Sequence, residues 1–168
     1  QRTDEFGGSA ENRCRLALRV VDEAIKIWGA DRVGIKLSPT GRYNDMNDSN
    51  PQETYKYLLG ELNNRNILFV EMMRPPDQVG SGHQYETTGD QQWPELVDFI
   101  GIKEQLSNVI LVGNQSVTMD EAEKLITAKT VDMVSFGTMY MSNPDLAKRF
   151  KNGWKIEDPD WQRAFGEG

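Results

Sequence analysis

The first part of the chain carries one strong helical pattern. Apolar side chains recur every three or four residues from Cys14 to Trp28, the spacing that places them on one face of an α-helix. Ser9 precedes this run and is a residue type that caps helix N-termini, and Gly29 follows the run. The pattern therefore predicts a long amphipathic helix that begins after Ser9 and ends at Gly29.

After this helix, short apolar runs alternate with helical patterns. The apolar runs are nearly continuous, as in strands buried on two faces, and lie at 33–37, 67–71, 108–112 and 131–136. Helical patterns with capping residues at their starts lie at 50–62, 118–128 and 143–153, and weaker ones lie at 94–105 and at 154–168, around Trp161 and Phe165. The sequence therefore predicts a repeated βα unit, with parallel strands and right-handed crossovers.

Repeated βα units fit either an open doubly wound sheet or a TIM (β/α)8 barrel. We favour the barrel because no G-x-G-x-x-G fingerprint follows any predicted strand. An eight-unit barrel needs about 250 residues, whereas this chain has 168 residues. We therefore expect residues 1–168 to form a single partial domain, half of a barrel that needs a partner half to close.

A long polar segment interrupts the alternation at about residues 74–93. It contains two adjacent prolines, Pro75 and Pro76, several glycines and many polar side chains. Loops of this length in compact domains are usually functional. We expect a lid-like loop here.

Composition narrows the classes of partner. The net charge is −7, and the 19 Lys and Arg residues are dispersed, so we expect neither nucleic acid nor an anionic membrane surface as a partner. The apolar runs are far shorter than the roughly 20 residues that span a bilayer, so we expect no membrane span. Cys14 is the only cysteine, which fits a reducing intracellular compartment such as the cytoplasm or an organelle. With a single histidine, His83, the usual ligand sets for zinc cannot be assembled.

Two strand ends carry the glycines expected around a phosphate. Leu111–Asn114 and Val134–Thr138 are each an apolar run that stops at a glycine and passes into a helical pattern. Barrel enzymes commonly hold phosphate on the loops after their last two strands, where backbone N–H groups approach it closely. The sequence therefore predicts a cofactor that carries a phosphate.

At this point the residues resemble a known family. Residues 2–9 with Glu11, Asn12, Arg13 and Arg15 resemble the Arg-x-Asp-x-Tyr-Gly-Gly-Ser-x-Glu-Asn-Arg motif of the Old Yellow Enzyme family of flavin oxidoreductases. Residues 34–39, the pair at 113–114 and residues 142–146 resemble three further family motifs, in family order across nearly the whole chain. The resemblance implies the C-terminal half of an FMN-binding TIM barrel.

That family takes hydride from NAD(P)H onto FMN and passes it to an activated alkene, so the resemblance implies an oxidoreductase with FMN as cofactor, NAD(P)H as reductant and a small-molecule substrate of the enone type. The implied partner is an N-terminal half-barrel, on the same or another chain. The family's substrate-anchoring and proton-donating residues belong to that preceding half. No catalytic residue can therefore be assigned in this half.

The resemblance also implies cofactor contacts. Lys36 stands where the family more often has arginine, at a strand end where a cation could stabilise charge on a reduced flavin. Tyr43, in the loop after Lys36, corresponds to an aromatic residue near the substrate. Thr138 stands where arginine is usual, so a neutral hydrogen bond replaces a bidentate grip on phosphate. The implied cofactor-binding residues are Lys36, Gly113, Asn114, Ser135, Phe136, Gly137 and Thr138.

Two other interpretations stay open. The chain could be a catalytically dead remnant of the family that serves as a structural subunit of a larger assembly, in which case Thr138 reflects lost cofactor binding. It could also belong to an unrelated phosphate-binding barrel enzyme, such as a lyase or isomerase, although the motif at residues 2–15 argues against this. Glu71, at the end of the second predicted strand, could point into a barrel mouth, but nothing in the sequence names its task.

Overall fold

The computed structural model describes residues 2–39, 46, 48–74, 99–115 and 117–162. Within these ranges the chain forms a parallel four-stranded sheet with helices between the strands. The helices are α1 Ala10–Trp28, α2 Pro51–Asn64, α3 Phe99–Gln105, α4 Met119–Thr127 and α5 Leu146–Asn152. The strands are β1 Gly34–Leu37, β2 Phe69–Met73, β3 Ile110–Asn114 and β4 Met133–Val134, and 3₁₀ turns span Ala30–Arg32 and Thr138–Met141.

Three of the predicted helix starts are confirmed by their capping bonds. The Ser9 hydroxyl accepts the N–H of Asn12 and opens α1. In α2, the Asn50 side chain accepts the N–H of Glu53, as predicted, but Glu53 accepts from the Asn50 side-chain amide at 3.1 Å, while the Asn50 backbone N–H donates to Asp48. The starts of α1, α2 and α4 were therefore encoded by a few neighbouring residues, whereas α5 begins at Leu146, later than predicted and without a side-chain capping bond.

Strands β2 and β3 each lie two residues further along the chain than predicted. Ile67 and Val109 are buried, but they precede the strands, so their apolar character reflects packing under the helices. The ladder continues instead to Met73 and Asn114, which pair with each other. As a result Gly113 and Asn114 belong to β3 itself, and our expectation that they form a βα loop was wrong.

The C-terminal part of the chain also differs from expectation. Strand β4 covers only Met133–Val134, although Ser135 N–H still donates to the Gly113 carbonyl at 2.9 Å. The predicted tail helix is absent over 154–162, and the rest of that prediction, with Phe165, lies outside the described residues. Fully buried Asn143 holds the tail instead, because its side chain donates to the Glu157 carbonyl and accepts the Glu157 N–H. A helix could not offer Asn143 this pair of backbone groups, because they would be used within the helix.

The two faces of the sheet differ in burial. Side chains alternate between faces along each strand, and Val70, Met72 and Leu111 on the helix-facing side are fully buried. On the opposite face, called here the inner face, Lys36, Glu71 and Val112 lie in register and are only partly covered. The apolar core therefore lies between the sheet and its helices.

The strand order is β1-β2-β3-β4, with every neighbouring pair parallel, as in consecutive strands of a (β/α)8 barrel. Within the described ranges β1 and β4 each pair on one side only. Met133 on the inner face is 55% exposed. None of the described helices is both long enough and apolar enough to cross a lipid bilayer.

Candidate functional site

Lys36 lies on the inner face near the carboxyl end of β1. Its register partner on β2 is Glu71, and the Lys36 ammonium lies 2.9 Å from Glu71 Oε1. The Lys36 side chain is 49% exposed. The structure therefore places the predicted flavin-contacting cation at the edge where an incoming ligand can reach it.

Glu71 joins Lys36 to two further residues of the predicted site. The Ser135 hydroxyl donates to Glu71 Oε1 at 2.7 Å, and the Asn114 amide group donates to Ser135 Oγ at 2.7 Å and to the Ser135 carbonyl at 3.1 Å. These four residues lie on, or directly after, four different strands. We call Lys36, Glu71, Ser135 and Asn114 the strand-end network.

Sequence reasoning left Glu71 without a task, although a signal for it existed. Lys36 and Glu71 are opposite charges within two otherwise apolar strands. Opposite charges at corresponding positions of two neighbouring parallel strands lie next to each other. What the sequence could not supply was the register that brings them together.

The predicted phosphate contact of Gly113 stays a prediction, and the structure gives this glycine a packing role as well. A Cβ on this residue would lie 3.3 Å from Phe99 and from Val131, so the missing side chain makes room for helix-side packing. Its carbonyl accepts the N–H of Ser135. The structure thus accounts for this glycine by its tight contacts with α3 and the segment before β4.

Gly137 and Thr138 lie beyond β4, where the chain enters the 3₁₀ turn. A Cβ on Gly137 would meet nothing within 4 Å, so this glycine borders open space. Among the described residues the backbone N–H groups of Gly137 and Thr138 have no acceptor. Phe136 packs its ring edge against Phe150 of α5 at 5.1 Å and is not part of the strand-end network.

The remaining predictions for this region fall elsewhere. Tyr43, the candidate substrate-pocket residue, and positions 75–93 of the expected lid lie outside the described residues. They stay predictions. Arg74, at the start of that segment, donates to the Gln115 carbonyl at 2.9 Å and to both carboxylate oxygens of Glu121 on α4. The hydrogen bonds from Arg74 lower the pKa of Glu121 below its usual value.

The most specific motif of the chain forms a second cluster, and among the described residues it shares no hydrogen bond or ion pair with the strand-end network. Asn12 donates to the Gly7 carbonyl, Arg15 to the Glu5 carbonyl, and Arg13 to the Gly8 carbonyl. Arg13 also donates to the Thr54 hydroxyl of α2 at 2.7 Å. We call residues 2–15 with Thr54 the motif cluster, and it ties the N-terminal turn to α1 and α2.

Both adjacent glycines in the motif cluster are required by the backbone. A Cβ on Gly7 would lie 2.2 Å from the Arg2 carbonyl oxygen, closer than any side chain could be. Gly8 has φ +85°, in the left-handed region that favours glycine. The Gly-Gly pair therefore serves the local turn.

The strand-end region fits FMN by its chemistry. The half-exposed ammonium of Lys36 suits a ring system that gains negative charge, and the open amides at Gly137 and Thr138 suit a phosphate. The described residues contain no cluster of three or more potential metal ligands. Burial raises the pKa of the Cys14 thiol to about 11, so this cysteine is a poor nucleophile at neutral pH.

Comparison with known proteins identifies the family of the chain. The sequence profile of the NADH:flavin oxidoreductase / NADH oxidase family matches residues 1–157. A probable flavin mononucleotide-dependent alkene reductase of Leishmania infantum is 36% identical over 161 residues, 95% of this chain and 40% of that protein. The 12-oxophytodienoate reductase 2 of Arabidopsis thaliana is 33% identical over 150 residues, 89% of this chain and 37% of that protein.

Solved structures agree with the sequence matches. Morphinone reductase superposes with a TM-score of 0.85 at 32% identity, covering 100% of this chain and 42% of that one. The Old Yellow Enzyme homologue of Zymomonas mobilis gives a TM-score of 0.83 at 29% identity, covering 99% of this chain and 44% of that one. The chain thus spans about 40% of the length of the relatives it matches, and the expected partial TIM barrel is confirmed. The chain belongs to the NADH:flavin oxidoreductase family of FMN-dependent oxidoreductases, the Old Yellow Enzyme family.

Proposed function

We propose that this chain supplies the FMN-binding C-terminal part of an NAD(P)H-dependent reductase of activated alkenes. The observation that carries the proposal is the strand-end network, which gathers Lys36, Ser135 and Asn114 at one end of the inner face. The family resemblance implies a cofactor contact for each of these three residues. Their contacts therefore support a common site.

FMN bound here would accept hydride from NAD(P)H and deliver it to the polarised double bond of an enone-type substrate. Lys36 would hold the part of the flavin where negative charge develops. The backbone N–H groups of Gly137 and Thr138 would donate to the phosphate, with the Thr138 hydroxyl adding one neutral hydrogen bond. The reductant is supported by a relative, since morphinone reductase has been solved in complex with tetrahydroNAD.

The proposal includes a partner half-barrel, on the same polypeptide or on another. Within the described ranges the sheet has two edges, and its inner face is partly covered. Four parallel strands cannot close into a barrel alone. An N-terminal half would cover this face and supply the residues that anchor the substrate and donate the proton.

The first test is an absorbance spectrum and an FMN titration of the whole protein or assembly that contains these residues. We expect a yellow preparation with the visible bands of a bound flavin. If no FMN binds at millimolar concentration, the enzyme interpretation fails, and a structural subunit derived from the family becomes the better description.

A second test places the phosphate. Thr138→Arg adds a charge-assisted, bidentate donor where a hydroxyl now stands, so we expect FMN to bind about tenfold more tightly. Thr127→Arg is the matched control, because it adds the same charge at the exposed end of α4. Equal effects of the two variants would show that the gain comes from net charge and would move the phosphate away from Thr138.

A further inference from the structure

We propose that Glu71 is a positioning residue that holds Lys36 at the flavin. Its negative charge also lowers the preference of the site for reduced over oxidised FMN. The inference rests on the proposed function. It assigns a role to a residue that no cofactor motif contains.

The geometry places Glu71 at the centre of the strand-end network. One oxygen, Oε1, lies 2.9 Å from the Lys36 ammonium and accepts the Ser135 hydroxyl at 2.7 Å. Asn114 then donates to the same hydroxyl oxygen. Glu71 therefore sets the position of Lys36 relative to the two residues contributed by β3 and the segment after β4.

Burial makes this arrangement asymmetric. The Glu71 side chain is 19% exposed, whereas that of Lys36 is 49% exposed. The carboxylate is thus held within the inner face, and solvent screens its charge only in part. The ammonium is left partly open, so it can contact a ligand while it keeps its bond to Glu71.

The sign of the effect follows from the charge change in the reaction. Hydride transfer moves two electrons and one proton from NAD(P)H to the flavin, so the nicotinamide becomes NAD(P)⁺ and the flavin gains one negative charge. Lys36 favours the charged product, and the carboxylate beside it offsets part of that attraction. Removal of the Glu71 charge should therefore strengthen the preference for reduced FMN.

The test uses Glu71→Gln in the whole protein that binds FMN. Glutamine has the same size and retains an oxygen that can accept from Lys36 and Ser135, but it carries no charge. We expect the ratio of the Kd for oxidised FMN to the Kd for reduced FMN to rise about tenfold, which for a two-electron couple is a shift of about 30 mV in the midpoint potential. A dithionite titration against a reference dye measures this potential.

Two controls decide the interpretation. Lys36→Gln should move the ratio in the opposite direction, because it removes the cation and leaves the carboxylate. Glu61→Gln should leave the ratio unchanged, since Glu61 pairs with Arg65 at the C-terminal end of α2. An unchanged ratio in Glu71→Gln, with a lowered ratio in Lys36→Gln, would refute the role of Glu71 and leave the flavin site intact.

A merely structural role for Glu71 gives a different result. In that case Glu71→Gln would lower the melting temperature and weaken oxidised and reduced FMN equally, which also overturns the inference. Failure of the wild-type protein to bind FMN at all would instead refute the proposed function, and with it the role of Glu71.

Discussion

The chain contains two polar clusters that look alike in composition and differ in what they hold. In the motif cluster, Arg13 and Arg15 each donate to one backbone carbonyl of the preceding turn, and Arg13 also donates to the Thr54 hydroxyl of α2. The strand-end network joins side chains to side chains across the sheet. The first cluster fixes the path of the chain, and the second presents a half-exposed cation at the inner face.

This difference between the two clusters shows that the motif most typical of a family need not be the one that carries its chemistry. The motif at residues 2–15 is the most specific sequence resemblance, yet its glycines and arginines are explained by a tight turn and its attachment to α2. The residues of the strand-end network lie far apart along the chain and meet only through strand register. Variants that affect stability and FMN binding separately can break or sharpen this contrast.

The largest expected effect compares one glycine from each region. Gly7→Ala forces a Cβ against the Arg2 carbonyl oxygen, so we expect a loss of about 1 to 3 kcal/mol in the free energy of unfolding and an unchanged Kd for FMN. Gly137→Ala has open space around the new Cβ, so we expect unchanged stability and weaker FMN binding, because the methyl group crowds the phosphate. Denaturant unfolding and FMN titration measure the two quantities.

The comparison fails if the two glycine variants change the free energy of unfolding and the Kd for FMN in the same way. A large stability loss in Gly137→Ala would mean that this loop is packed by parts of the assembly. A weakened FMN affinity in Gly7→Ala, at full stability, would bring the motif cluster into the cofactor site.

The next effect compares one cation from each region. Lys36→Gln should weaken FMN binding about tenfold, the loss of one charged interaction of about 1.4 kcal/mol, with little change in melting temperature because the side chain is half exposed. Arg13→Gln should leave FMN binding unchanged and lower the unfolding free energy by about 1 to 2 kcal/mol, because it loses its bonds to Thr54 and the Gly8 carbonyl. The same titration and unfolding measurements apply. Loss of FMN from both variants in proportion to their instability would show that Lys36 acts only through folding.

Much of the fold could be predicted because its signals are local. The caps at Ser9, Asn50 and Thr118 use bonds within three residues, and each is present in the structure. The βα alternation likewise follows from apolar periodicity within single segments. These features need no knowledge of which strand lies beside which.

The errors and omissions concern interactions between distant residues. Gly113 resembled a loop glycine, but its packing against Phe99 and Val131 places it within a strand. The tail resembled a helix, but Asn143 holds the backbone at Glu157 in another conformation. Glu71 gained a task only when the register of β1 and β2 placed it beside Lys36. Such contacts cannot be read from any one segment.

The smallest expected effect concerns the ion pair of Arg74 with Glu121, at the carboxyl end of β2. Like Arg13 and Arg15 of the motif cluster, Arg74 donates both to a backbone carbonyl, that of Gln115, and to a side chain. Hydrogen bonds from Arg74 lower the pKa of Glu121 in the folded state. The ion pair therefore stabilises the protein fully at pH values above the ordinary pKa of glutamate. This contribution is lost as the pH falls through the lowered pKa. Glu121→Gln should therefore cost less than about 1 kcal/mol at pH 7, a value reduced by partial exposure. The difference in melting temperature between Glu121→Gln and the wild type should shrink as the pH is lowered below the ordinary pKa of glutamate. The ratio of the Kd for oxidised FMN to the Kd for reduced FMN should stay unchanged. A shift in that ratio would show that any charge at this end of the sheet changes the preference for reduced over oxidised FMN. The distinction between an ion pair that anchors the chain and one that faces the cofactor would then be lost.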